Sequence, residues 1–110
     1  MRVTSREQDG RTVLRVEGRL DTLATVEFEA EWRQCYSAGA RRLVLDFAEL
    51  TYISSSGLGS VVALAKLLGD AGGGLSIAGL RGVVKEVFAI STLDRVIPVL
   101  DSVDAALERV

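Results

Sequence analysis

Residues 43–68 constrain this chain more than any other stretch, because three patterns follow one another there. Leu43-Val-Leu45 is an apolar run of strand type, Ser54, Ser55 and Ser56 set three hydroxyls in a row, and Leu58, Val61, Val62, Ala65 and Leu68 recur at helical spacing. A buried strand must therefore lead through a hydroxyl-rich loop into an amphipathic helix. Backbone N–H groups at a helix start have no partner within the helix, and the helix dipole is positive there. A phosphate on one of these serines would be electrostatically favoured. The plain reading of the same hydroxyls is a turn and an N-cap.

The flanking segments complete an α/β pattern. Val3 to Glu7 and Thr12 to Val16 read as strands around Asp9-Gly10, a strong hairpin signal. A helix is expected from about Thr22 to Ala38, with Ala24, Phe28, Trp32 and Cys35 inward and Glu27, Glu29, Glu31 and Arg33 toward water. Gly39 suits its end. The serine-loop helix should stop near Gly69 to Gly74. Then come a strand at Leu75 to Ala78, a helix from about Gly82 to Ile90, a short strand at Val96 to Val99 and a last helix from about Ser102 to Arg109. Pro98 fits an edge or a strand end, where a missing N–H does no harm. Strands followed by helix and strand alternation predict one domain over residues 1–110, with a mixed sheet and helices mainly on one side.

Composition removes several function classes. The net charge of -2 comes without a Lys/Arg-rich block, so there is no footprint for direct nucleic-acid binding. No apolar run approaches the ~20 residues of a membrane span, and charges punctuate the first ten residues, so a cytoplasmic chain without membrane insertion is expected. The absence of His and the single Cys leave almost no zinc ligands; no metal or cofactor is expected. The serine run lacks both a Gly-x-Ser-x-Gly elbow and a histidine to activate a nucleophile, which argues against a hydrolase. Gly72 to Gly74 precede a strand instead of opening a helix, so they read as a turn and not as a phosphate cradle. Cys35 reads as a small buried hydrophobe.

The segment with Asp46, Ile53-Ser-Ser-Ser-Gly-Leu-Gly59 and the helix after it closely resembles the signature of the STAS family, whose small members include bacterial anti-sigma factor antagonists. Gly18-Arg-Leu-Asp21, and Lys85-Glu-Val-Phe88 through Pro98-Val99 to Ser102 and Leu107, resemble the family's opening and closing segments in the right order. The resemblance implies a STAS-like α/β domain of four or five strands and about four helices, and a binding module with no catalysis of its own. It places the phosphorylated serine at Ser55 and the small residue after it at Ser56, with Ser54 where the best-known antagonists carry Asp. It implies two partners, an anti-sigma factor with serine kinase activity and a serine phosphatase. Asp21, Thr22, Ser54, Ser56, Gly57, Leu58 and Val61 are the expected partner-facing positions. Asp21 reads equally as a helix cap, and core packing is the leading role for Leu58 and Val61, with only part of their surface shown to a partner. Asp46 either supports the serine backbone or caps a turn. STAS domains also serve as docking subunits of lipid or anion transport complexes, which is the alternative function.

Overall fold

A computed structural model describes residues 1–110. Asp9 and Gly10 both have positive φ, 53° and 77°, the conformation of the two-residue turn whose twist matches its flanking strands. They join β1 (Arg2–Gln8) antiparallel to β2 (Arg11–Leu20). The long β2 serves two parallel neighbours in succession along one edge. Thr12 to Arg15 pair with β3 (Arg42–Asp46), and Gly18 to Leu20 pair with β4 (Leu50–Ile53). The register shifts at Gly18, whose φ of 93° suits the only residue type without a Cβ. β5 (Gly74–Ala78) lies on the far side of β3, and β6 (Val99–Leu100) closes that edge.

Alternation along the strands sorts side chains onto two faces. Leu14, Val16, Leu43, Leu45, Leu75 and Ile77 meet Phe28 and Trp32 of α1 (Thr22–Ser37), Val61, Leu64 and Leu68 of α2 (Ser55–Asp70), and Val84 and Phe88 of α3 (Gly82–Ile90). Phe47 joins Phe28 and Phe88, with ring centroids 6.4 Å away in both directions. On the opposite face, Val13, Val44 and Ala78 pack with Ala106 and Leu107 of α4 (Val103–Arg109). There the buried Ser76 hydroxyl donates to the Ala106 carbonyl at 2.9 Å. The helices thus lie mainly on one side, as the pattern predicts, with only α4 behind.

The sheet has six strands instead of four or five. The additional strand is β4, a four-residue segment whose place is set by pairing with the second half of β2. The final strand falls at Val99–Leu100, after Pro98, and not at Val96 to Val99. Val96 ends a single 3₁₀ turn (Leu93–Arg95) and is exposed, while Ile97 N–H bonds back to the Leu93 carbonyl. Pro98 precedes the edge strand and offers only its carbonyl, which accepts from Ile77 N–H at 2.9 Å. Glu29 does not simply face water. It accepts from Ser60 Oγ at 3.1 Å, and Ser60 Oγ accepts from the Trp32 indole N–H at 3.0 Å. This buried polar brace ties α1 to α2 one turn past the serine loop, and leaves neither the indole nor the hydroxyl unpaired.

Cys35 is half-buried, because α1 does not fully cover β1. Burial first, and the Glu31 carboxylate second, push its thiol above the ordinary thiol range. Alkylation by iodoacetamide is therefore expected to lag that of free cysteine at mildly alkaline pH, and to accelerate only at higher pH. A pH–rate profile matching the free amino acid would contradict this.

Candidate functional site

The register of β2 on β4 builds the site. Leu20 pairs with Ile53, and Ser54 N–H donates to the Leu20 carbonyl at 2.9 Å, so the next residues, Asp21 and Ser54, emerge side by side at the same sheet end. Each then caps a helix. Asp21 Oδ1 accepts from Ala24 N–H at 2.8 Å, and Ser54 Oγ accepts from Gly57 N–H at 3.1 Å. Both caps have extended backbone, as an N-cap requires. Since α1 and α2 run alongside each other, Trp32 beside Ser60, their positive ends converge on one surface. No acidic residue occupies the first turn of either helix; the only carboxylate at the two starts is Asp21 itself.

The three serines have different tasks. Ser54 is buried and spends its hydroxyl on the cap. Ser56 is exposed, with its Oγ 3.0 Å from Ser54 Oγ. Ser55 is exposed and its hydroxyl bonds to nothing within the chain. Of the three it alone has no hydrogen-bond partner within the chain, so its modification would disturb no internal bond. Ser54→Ala is expected to lower unfolding free energy by about 1 kcal/mol, the usual value of a lost side-chain cap, in a urea titration. Ser54→Asp should preserve stability, since a carboxylate can accept the same bond.

Other expected site residues are placed differently. Thr22 is exposed and Leu58 half-buried, both on the first turns beside the loop. Gly57 is buried: an added Cβ would lie 2.9 Å from Ile53 Cγ1 and 3.2 Å from the Leu20 carbonyl oxygen, so it is a packing contact and not a surface. Val61 is fully buried, because the inward stripe of α2 is Gly57, Val61, Leu64 and Leu68. The exposed apolar residue is Val62, 42% accessible, two turns from Ser55 on the same stripe. Asp46 does not support the serine loop. Its register partner is Arg15, which turns it to the α4 side of the sheet, and its Oδ1 accepts from Ala48 N–H at 3.1 Å in the β3–β4 turn. Its role is the turn-capping one.

Leu23 and Val26, 84% and 70% exposed on α1, were not anticipated at this end of the molecule. Their signal was available: both are apolar yet fall outside the Phe28 and Trp32 stripe. Like Val62, they expose hydrocarbon within two turns of a helix start. No group of His, Cys, Asp or Glu side chains has metal-site geometry. No helix is long and apolar enough to cross a membrane.

The α/β domain thus presents two capped helix starts and an exposed serine hydroxyl at one end of its sheet. The STAS domain family model matches residues 2–106, and the chain belongs to that family. It is 37% identical over 106 residues to a Bordetella bronchiseptica protein named "Putative anti-sigma factor antagonist BtrV", covering 96% of this chain and 91% of that one. Its fold matches the crystal structure of an anti-sigma factor antagonist from Mycobacterium paratuberculosis with a TM-score of 0.90 at 22% identity, over 99% of this chain and 92% of that chain. The Bacillus cell fate determinant SpoIIAA, solved in its phosphorylated form, matches with a TM-score of 0.77 at 20% identity over 98% of both chains.

Proposed function

We propose that this protein is an anti-sigma factor antagonist switched by phosphorylation of Ser55. The unphosphorylated form binds an anti-sigma factor that is also a serine kinase, and so frees a sigma factor. Phosphate on Ser55 ends the interaction, and a serine phosphatase restores it. The observation that carries this reading is the Ser55 hydroxyl itself, exposed and unbonded at the start of α2 beside the cap of α1. The name of the Bordetella relative supports the class of partner.

The surface for that partner would comprise Asp21, Thr22, Ser55, Ser56 and Leu58, with Leu23, Val26 and Val62 supplying apolar contact. Ser54, Gly57 and Val61 would act from beneath, by holding the first turn of α2. A phosphate adds about -1.5 to -2 charges to this surface without entering the core.

The test is a pull-down from the native host with wild type, Ser55→Ala and Ser55→Asp as baits, together with phosphosite mapping on wild type. Phosphate on Ser55, and retention of a kinase-type ATPase by Ser55→Ala but not by Ser55→Asp, are the expected results. Equal retention of transporter subunits by all three baits, with Ser55 unmodified, would instead assign the chain to a docking subunit.

A further inference from the structure

We propose that β1 is a docking edge for an extended, acidic segment of a partner protein, which adds to the sheet as a further strand. β1 is seven residues long and pairs only with β2, so its other edge carries unpaired backbone donors and acceptors. On the α4 side of the sheet, Arg2 and Arg6 project from this edge, beside Arg15 of β2. α4 covers Val13 and Val44 but not these arginines, all three of which are exposed.

Their charges are incompletely matched. Arg15 pairs with Glu17 at 2.9 Å. Arg2 lies opposite Glu17, which pairs with Arg15 instead, and Arg6 bonds only to the Gln8 amide oxygen, so neither edge arginine is in ion-pair contact. Arginine on an edge strand also discourages indiscriminate pairing. That role makes the edge selective, since a strand with carboxylates opposite Arg2 and Arg6 would be accepted and a neutral or basic one refused.

The opposite side of β1 has another chemistry. Val3 packs against the core, while Ser5 and Glu7 border an open recess of about 580 Å³ reaching Glu31, Gln34 and Cys35 on α1. An incoming strand therefore needs acids on one face, and on the other an apolar residue near Val3 and a cationic one near Glu7. A second copy of this chain does not meet that pattern. Two-fold antiparallel pairing of β1 with itself puts Arg2, Thr4, Arg6 and Gln8 of both copies on one face, with no carboxylate among them. A nucleic acid offers no strand to the free backbone groups, and Glu17 and Asp46 stand among the arginines.

The probe is a fluorescent seven-residue peptide with Glu at alternate positions, separated by Val, Thr and Lys; the comparison is its scrambled isomer. Anisotropy titration is expected to show saturable binding that weakens at least about tenfold for the isomer, and at least about tenfold for the double variant Arg2→Glu, Arg6→Glu. Amide exchange in β1 should slow on binding, and Ser55→Asp should bind the peptide as wild type does, which separates this edge from the serine surface. Far-UV circular dichroism checks the fold of the double variant, and Arg2→Gln with Arg6→Gln repeats the test without charge reversal. Equal binding of the isomer, no dependence on the arginines, no saturable binding, or tighter binding of a single-stranded oligonucleotide without β1 protection would each overturn the proposal.

Discussion

Ser55→Asp is expected to lower affinity for the kinase-type anti-sigma factor by at least about a hundredfold, equivalent to ~2.7 kcal/mol, while leaving thermal stability equal to or slightly above that of wild type. The two halves of this expectation have separate causes. Stability is preserved because the Ser55 side chain makes no internal hydrogen bond and is exposed. A carboxylate in the first turn of α2 also gains roughly 0.3–1 kcal/mol from the helix dipole. Affinity falls because a contact surface built on Leu23, Val26, Leu58 and Val62 would have to desolvate a charge at its centre, and an uncompensated buried charge costs several kcal/mol. Asp21 beside it adds like-charge repulsion. Ser55→Ala carries no charge and should bind at least as well as wild type. Isothermal titration against the purified partner, paired with thermal melts, separates the terms. Equal affinity of the two variants would remove Ser55 as the switch, and a large loss of Tm in Ser55→Asp would mean that charge acts on folding instead of on the surface.

Much of the fold was legible because it depends on local chemistry. The Asp9-Gly10 turn needs only two residues that accept positive φ, and α3 runs from Gly82 to Ile90, the span its apolar spacing indicates. The serine loop was legible as a helix start for the same reason, since capping is settled within four residues. What escaped depends on register between distant segments. The apolar positions of α2 fit more than one inward face, and the choice is made by Gly57 against Leu20 and Ile53, so Val61 turns in and Val62 out. Asp46 is close in sequence to the serines, yet the parallel pairing of Arg15 with Asp46 sends it to the other side of the sheet. β4 escaped because it borrows its place from the second half of β2, past a bulge at Gly18 that local propensity does not foretell.

That dependence of the site on one tertiary contact makes Gly57 the most sensitive position in the loop. Gly57→Val is expected to destabilise the domain by about 3 kcal/mol, at the upper end of overpacking costs. The first atom beyond Cα would lie 2.9 Å from Ile53 Cγ1, 3.2 Å from the Leu20 carbonyl oxygen and 3.3 Å from Leu20 Cδ2. Both neighbours are buried strand residues, and Leu20 carbonyl already accepts from Ser54 N–H, so neither can retreat without breaking the junction that sets Asp21 beside Ser54. The strain must move the first turn of α2, which carries Ser55. Gly59 supplies the control: nothing lies within 4 Å of its added Cβ, so Gly59→Ala should leave stability unchanged or raise it by roughly 0.5–1 kcal/mol through helix propensity. Urea titrations of both variants decide the matter. A Gly57→Val midpoint close to wild type would show that the α2 start is not wedged against β2 and β4, and with it the argument that this contact aims the serine loop would fall.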